Sequence, residues 1–501
     1  TAGLVQRIIE KLIPPDTEKG IGVDRLLVVT FTNAAAREME TRIASALAAA
    51  FEDANANGDA ARKKAIKRQQ MLLPSADITT IDAFCMKLVR ENFNHLGIDP
   101  DFSIADSAQA SILADETMEE LFSDLYDAGD DDFIRLLCLY GTGRSDEPLA
   151  DTVRGIYDFI RSIPDPISWL DEKTHELLCP DGIENTAWYR RGMRDCLNDF
   201  DYALKCVNDA LSYMNGAECH GDFCRLNPPE KGVDIYDEWK SYYNLFYQLH
   251  EALAPLAGKS ADELRRGISA LEFPRFYALP SKTPEDKAPL TALRDRAKAS
   301  VSSIKTFLFV SPEDAQRRSR EDIYPQVHAL SGLVKKFDAK FTEKKLQRKL
   351  LECSDIEQLT EQLLRKNPDI AADLQSRYDE ILMDEYQDTS PLQERIFSYI
   401  TDGSNLFAVG DMKQSIYRFR SSDPSIFKAK SDLYLNEKGA KNRKIILSRN
   451  FRSRKEVLSA VNDLFAAVMS EEAGEMNYDS DQMLYPGNES FKLPGSSYLP
   501  E

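Results

Sequence analysis

The segment Ile381-Leu382-Met383-Asp384-Glu385 constrains this chain more than any other. Three apolar residues running straight into two carboxylates suit a strand buried on both faces whose end opens into a polar cleft, the pattern of a parallel sheet. Parallel strands need crossover connections, so strands and helices should alternate around it. They do. Leu26-Leu27-Val28-Val29-Thr30 reads as a buried strand, followed by a helix opening at Asn33-Ala34-Ala35-Ala36-Arg37-Glu38-Met39 with Asn33 as its N-cap. Ile78-Thr79-Thr80-Ile81 reads as a β-branched strand, and Asp82 can cap the helix through Phe84, Leu88 and Phe93. After 380–383 comes a helix from Pro391, opened by the capping box Ser390-Pro391-Leu392-Gln393. Further strands are expected at Leu406-Phe407-Ala408-Val409 and Ile445-Ile446-Leu447. Between about Asp106 and Ser376 the periodicity is helical, broken by Pro and Gly loops. The fold class that follows is α/β, one parallel sheet interrupted by a large all-helical insertion.

A length of 501 residues allows about three domains. The net charge of −20 argues against a generally sticky nucleic-acid binder. It leaves room for a local basic groove, because charge acts over about 8–10 Å in salt. Eight cysteines without paired spacing favour a reduced, cytoplasmic protein, and no apolar run is long enough to span a bilayer. The cluster Cys219-His220…Cys224 supplies at most three ligands at atypical spacing and is not expected to hold a metal.

The chemistry concentrates at strand ends. In nucleotide hydrolases the first acid at such an end holds Mg²⁺ and the second positions or deprotonates the attacking water. The plain alternative is a pair of acids that caps the next helix. Val409-Gly410-Asp411-Met412-Lys413-Gln414-Ser415-Ile416-Tyr417-Arg418-Phe419-Arg420 again leads a strand into polar residues. Gln414 can donate and accept, so it could sense a terminal phosphate or orient a water. Tyr417 and Phe419, interleaved with Arg418 and Arg420, could stack nucleobases and grip phosphates, or could be core rings. Ser448-Arg449-Asn450-Phe451-Arg452-Ser453 presents arginine forks suited to phosphate oxygens, or a solvated arginine pair. Three such ends in one chain favour a ligand-binding edge.

These residues carry a resemblance. Thr30 through Met39 resembles motif Ia of UvrD-like superfamily-one DNA helicases, and Thr79 through Phe84 resembles their next strand-contacting motif. Asp384 through Thr389 resembles motif II, Gly410 through Arg420 motif III, and Asn450 through Ser453 motif IV, in the family's order. The segments Gly410–Arg420, Leu447–Arg454 and Gly474–Asp479 look like the AddA-type helicase–nuclease subunits of bacterial double-strand-break repair. The resemblance implies a RecA-like P-loop NTPase sheet and ATP and Mg²⁺ as cofactors. As partners it implies single- and double-stranded DNA and an AddB-type subunit. By resemblance Asp384 would hold Mg²⁺, Glu385 would activate the attacking water, Gln414 would couple the γ-phosphate to the DNA site, and Arg452 would contact that phosphate. Phe31, Asn33, Thr80, Phe84, Tyr417, Phe419 and Arg420 would contact the strand. Phe419 stands where relatives often carry tryptophan. Asp82 stands where many carry histidine, and an acid beside a phosphate backbone points to a helix cap.

The pattern G-x-x-x-x-G-K-[ST] is not found in the sequence. Gly258-Lys259-Ser260 has Leu253 where the first glycine belongs and no strand before it, so it reads as a surface loop. By resemblance Thr1 would be the Mg²⁺-binding hydroxyl residue that ends the P-loop, and the chain would be an internal fragment, deficient in ATP hydrolysis. Residues 1–105 with 376–430 would form the first RecA-like domain, 106–375 the helical insertion, and 431–501 the opening of the second. The rival readings are a plain UvrD-like repair helicase without nuclease, an ATP-independent DNA-binding scaffold, and an unrelated nucleotide-binding α/β enzyme.

Overall fold

The computed structural model describes residues 2–14, 20–141, 145–215, 235–273 and 284–487. The Cys219-His220…Cys224 cluster lies outside them. Strand β1 (Leu26–Thr30) is buried along its whole length, and β2 (Asp77–Thr80), β5 (Glu380–Met383) and β6 (Leu406–Ala408) join it. The order is β2-β1-β5-β6. Every pairing is parallel, with Val28 level with Ile78 and Leu382, and Leu382 level with Phe407. A short parallel pair, β3 (Ser103–Ile104) and β4 (Leu350–Leu351), stands apart.

The period of two along each strand builds two cores. Leu26, Val28 and Leu382 face one side with Leu4, Ile8, Met39, Ile43 and Ile66. That side is covered by α1 (Ala2–Leu12), α2 (Asn33–Ala56) and α3 (Ala60–Leu72). Leu27, Val29, Ile381 and Met383 face the other side with Phe84, Leu88, Ile356, Leu374 and Ile396. Here the cover is α4 (Ile81–Glu91), α5 (Cys353–Lys366), α6 (Pro368–Arg377) and α7 (Pro391–Ile400). Arg7 ties α1 to the amino end of β5 through Glu380, at 2.5 Å. The helix–sheet–helix layering is the mixed α/β architecture expected from the sequence.

Several local expectations need correction. The cap of α2 is Thr32, whose hydroxyl accepts from the Ala35 N–H at 3.1 Å; Asn33 is already helical. The cap of α4 is Thr80, accepting from the Ala83 N–H at 3.3 Å, and Asp82 sits inside the first turn. In both cases the last extended residue supplies the cap, since its φ and ψ aim the hydroxyl back at the free amides. The capping box at Ser390 and Gln393 forms as expected. Residues 445–447 make no ladder among the described residues, and Leu447 is 77 % exposed. The strand there is β7 (Arg449–Asn450), paired in parallel with β8 (Tyr485–Pro486).

The chain divides into two compact units. Unit 1 comprises Thr1–Ala110, Arg161–Pro164 and Lys345–Glu501, and unit 2 comprises Ser111–Ile160 and Asp165–Lys344. The helical unit thus ends near 344 rather than 375, because the apolar faces of α5 and α6 bury on the sheet. Lys345 is itself buried in unit 1, its ammonium 2.8 Å from Glu352 and 2.7 Å from Asp355, and Arg161 meets Asp355 at 2.6 Å. Residues 431–487 also fall within unit 1. Unit 2 is helical, with one core around Phe122, Phe133, Tyr157, Phe337 and Phe341 and a second around Phe200, Val207, Phe246 and Val301.

Under α7, Glu357 accepts from the Gln393 amide at 2.7 Å. Burial pushes its carboxyl up to about 7, and the charge of Asp82 adds to the rise against the opposing pull of Gln393. A carboxyl raised this way favours the fold most when protonated, so its contribution is full below about 4.5 and fades as pH climbs through about 7. Glu357→Gln removes that loss. Thermal melts from pH 5 to pH 8 should find the variant gaining on the parent as pH rises, and parallel curves would refute the assignment.

Candidate functional site

Because all four strands of the main sheet are parallel, their carboxyl ends share one edge. β1 ends at Thr30, whose hydroxyl donates to the Thr32 carbonyl at 3.1 Å, and the turn projects Phe31 outward, 36 % exposed. β5 runs into Asp384, whose N–H donates to the Val29 carbonyl at 3.0 Å. Asp384 is half-buried and Glu385 is exposed. Glu385 takes a left-handed backbone, φ 55°, uncommon for a residue with a Cβ and a frequent companion of functional turns.

Behind the acids lies Gln387. Its side-chain amide donates to Glu385 at 2.8 Å and to Asp388 at 3.2 Å, and its oxygen accepts from the Asp411 N–H at 2.9 Å. The close approach dictates glycine at 410, where a Cβ would lie 2.6 Å from the Gln387 oxygen. Burial, followed by the Glu385 charge, raises the Asp388 carboxyl above its ordinary range. Asp411 goes the other way: burial would raise it, but hydrogen bonds from Lys413 and Gln414 prevail and lower it. It accepts from the Lys413 ammonium at 2.7 Å and from the Gln414 amide at 3.0 Å.

The chain after Gln414 turns back past Phe31. The Phe31 and Tyr417 rings stack with centroids 4.8 Å apart and planes at 28°. Tyr417 then leans on Phe419 at 5.8 Å. Phe419 is 76 % exposed, so the core alternative for this ring fails. The outcome is a short aromatic ladder on the same edge as the acid pair, assembled from two distant segments. Arg418 pairs with Glu475. Lys413 donates to Gln482 at 3.3 Å and Tyr478 to Asn462 at 2.7 Å, so the 474–487 tail folds beside this segment.

Of the residues singled out in the sequence, Asp384, Glu385, Gln414, Phe31, Asn33, Tyr417 and Phe419 share this edge. Asn33 is exposed at the start of α2. Arg452 is exposed beyond β7, on a separate strand pair, in a turn held by Asn450 accepting from the Arg452 and Ser453 N–H groups at 2.9 Å. The expectation for Phe84 is corrected: it is 2 % exposed and packs against Tyr378 and Phe397, because the face of α4 that carries it must bury on the sheet. Thr80 is buried and its hydroxyl serves as the α4 cap. Thr1 and the Arg420 side chain lie outside the described residues. Gly258-Lys259-Ser260 is a turn into a helix: Gly258 has φ 70° and Ser260 forms a capping box with Glu263. Sequence reasoning missed Gln387 and Asp411. Only the glycine after β6 hinted at a close approach there.

Among the described residues no group of three or more His, Cys, Asp or Glu could hold a metal by itself. One half-buried carboxylate at a strand end instead fits Mg²⁺, which takes one or two carboxylates and fills its shell with phosphate oxygens and water. Among the described residues no helix is long and apolar enough to cross a membrane.

The UvrD/REP helicase N-terminal domain profile matches residues 1–434. Several bacterial proteins that carry the name of an ATP-dependent helicase/nuclease subunit are similar over almost the whole chain. The one from Acetivibrio thermocellus is 35% identical over 97% of this chain and 38% of its own length. Those from Syntrophomonas wolfei and Alkaliphilus oremlandii are 34% and 36% identical, over 97% and 98% of this chain and 37% and 39% of theirs. The chain thus spans about two-fifths of the length of these curated relatives. With a parallel sheet whose carboxyl edge gathers the acid pair, Gln414 and the aromatic ladder, and with the profile covering most of its residues, this chain belongs to the UvrD/REP helicase family.

Proposed function

We propose that this chain is the motor portion of an AddA-type, ATP-dependent DNA helicase–nuclease subunit. The single observation that carries the reading is the Phe31–Tyr417–Phe419 ladder, exposed at Phe31 and Phe419, beside Asp384 and Glu385. Exposed stacked rings suit the faces of successive bases, and a carboxylate pair at a strand end suits a Mg²⁺-bound nucleotide. Residues 1–110 with 345–430 would form a RecA-like P-loop domain and 431–501 the opening of a second. β6 ends the sheet among the described residues, where a further parallel strand could add.

Asp384, with Thr1, would hold Mg²⁺, which when bound screens the charge on the ATP phosphates. Glu385 would accept the proton of the attacking water. Gln414, anchored by Asp411, would read the terminal phosphate, and Arg452 would reach the same phosphate when its element closes on the first. Phe31, Asn33, Tyr417, Phe419 and Arg420 would hold single-stranded DNA. Closure around ATP would then shift the ladder along the strand, moving the full protein 3′ to 5′. Its setting would be double-strand-break processing in the cytoplasm, with duplex DNA as substrate and, as partner, an AddB-type subunit. The names of the similar proteins favour this over a helicase without nuclease.

Phe419→Ala should weaken binding of a fluorescein-labelled oligo(dT) by about 1–3 kcal/mol, the worth of one base–aromatic stack. Anisotropy titration measures it directly. An unchanged affinity would remove the ladder from strand binding and sink the reading.

A further inference from the structure

Gln387 is 1 % exposed, yet it touches both sides of the edge. Its Nε2 donates to Glu385 Oε2 at 2.8 Å and to Asp388 Oδ2 at 3.2 Å. Its Oε1 accepts the Asp411 N–H at 2.9 Å. A buried amide is costly unless donor and acceptor are both met. Here they are met by two different segments, one after β5 and one after β6. The connection continues from Asp411 Oδ2 to Gln414 Nε2 at 3.0 Å, and the Tyr417 and Phe419 rings follow. The backbone bond from the Tyr386 N–H to the Val409 carbonyl, 2.9 Å, fixes the two segments behind this link. Gly410 packs closely against this link, where a Cβ would lie 2.6 Å from the Gln387 oxygen.

We propose that Gln387 is a positioning residue that couples the Glu385 carboxylate to the segment Gly410–Phe419, transmitting the state of the acid to the aromatic ladder. The inference rests on the reading of this edge given above and names a residue that acts through others. The physical warrant is that the amide has two ends. If a ligand draws the Glu385 carboxylate away, the Nε2 bond must break or the amide must follow. If the amide follows, its Oε1 pulls on or releases the Asp411 N–H. Coupling of this kind is a difference of free energies, so it must survive a double-mutant test. A leucine at 387 would fill the volume and serve neither end. A glutamate would keep an acceptor for the Asp411 N–H and lose the donor to Glu385.

The test uses the full chain with Gln387→Leu, Gln387→Glu and Glu385→Ala, alone and combined, read by hydrogen–deuterium exchange over residues 409–419. Gln387→Leu should speed exchange at Asp411–Gln414 about tenfold, since the Asp411 amide loses its side-chain acceptor. Gln387→Glu should keep the protection. Glu385→Ala should speed exchange about threefold in the parent and not at all in either Gln387 background, the signature of coupling in a double-mutant cycle. Gln387→Glu tests the same point if Gln387→Leu does not fold. Additive effects of Glu385→Ala and either Gln387 substitution, or parent-like exchange in Gln387→Leu, would overturn the proposal. An oligo(dT) titration of Phe419→Ala tests the strand-binding reading separately. Unchanged affinity there would remove that reading while the exchange cycle still decides the link.

Discussion

Glu385→Gln is expected to cut ATP turnover by about 10²–10⁴-fold, the usual worth of a general base, while nucleotide affinity stays within about twofold. The assay suits a chimera in which a curated relative supplies the P-loop segment and the remaining domains around this chain. The substitution keeps size and shape, and the new amide oxygen can still accept from Gln387, which holds the native carboxylate at 2.8 Å. What it removes is the ability to take a proton. Phosphate binding would rest on Gln414, Arg452 and the P-loop segment that the relative supplies, none of which the substitution touches. The neighbouring carboxylate is a poor substitute, because Asp388 is buried under the Gln387 amide whereas Glu385 faces solvent. DNA-stimulated phosphate release and a fluorescent-nucleotide titration, run side by side, decide the matter. Turnover within tenfold of the parent would strip Glu385 of its role.

The architecture was legible where burial writes a period into the sequence. β1 and β5 are nearly all apolar because both faces are covered, and β5 gives way to Asp384 and Glu385 where the sheet stops. Helix starts were legible to within a residue or two. Thr32 and Thr80 displaced Asn33 and Asp82 as caps because the choice depends on which residue is still extended, and propensity alone does not fix that. Ile445-Ile446-Leu447 has the composition of a strand, but a strand needs a partner. The pairing fell instead to Arg449–Asn450, opposite Tyr485–Pro486.

At the site, residues that act through their own chemistry were readable and residues that act through geometry were not. Adjacent carboxylates after an apolar run announce themselves. Gln387 does not, since its importance lies in reaching the Asp411 N–H across the β5–β6 pairing, a register no local pattern encodes. The rings posed the opposite problem. Phe31, Phe84, Tyr417 and Phe419 all sat in segments that resemble strand-contacting motifs, and composition could not tell a stacking face from a core face. Position on the element decides it: Phe31 precedes its helix, whereas Phe84 lies on the inward face of α4.

Phe84→Ala should therefore cost about 3–5 kcal/mol of stability, the range for a fully buried phenylalanine truncated to alanine. The Phe84 ring lies 6.3 Å from Phe397, nearly parallel, and 6.4 Å from Tyr378, edge-on. Its removal opens a cavity between α4, α7 and the sheet, among residues already close-packed, and the neighbours can collapse into it only in part. The signature separates core from contact. Phe84→Ala should lower the denaturation midpoint and leave oligo(dT) affinity unchanged at temperatures where the variant remains folded. Phe419→Ala should do the reverse, losing affinity with little change in midpoint, because an exposed ring gives up little buried area when truncated. A Phe84→Ala protein that melts with the parent yet binds DNA more weakly would move this ring from the core to the strand-binding face. The packing of α4 on the sheet would then have to be redrawn.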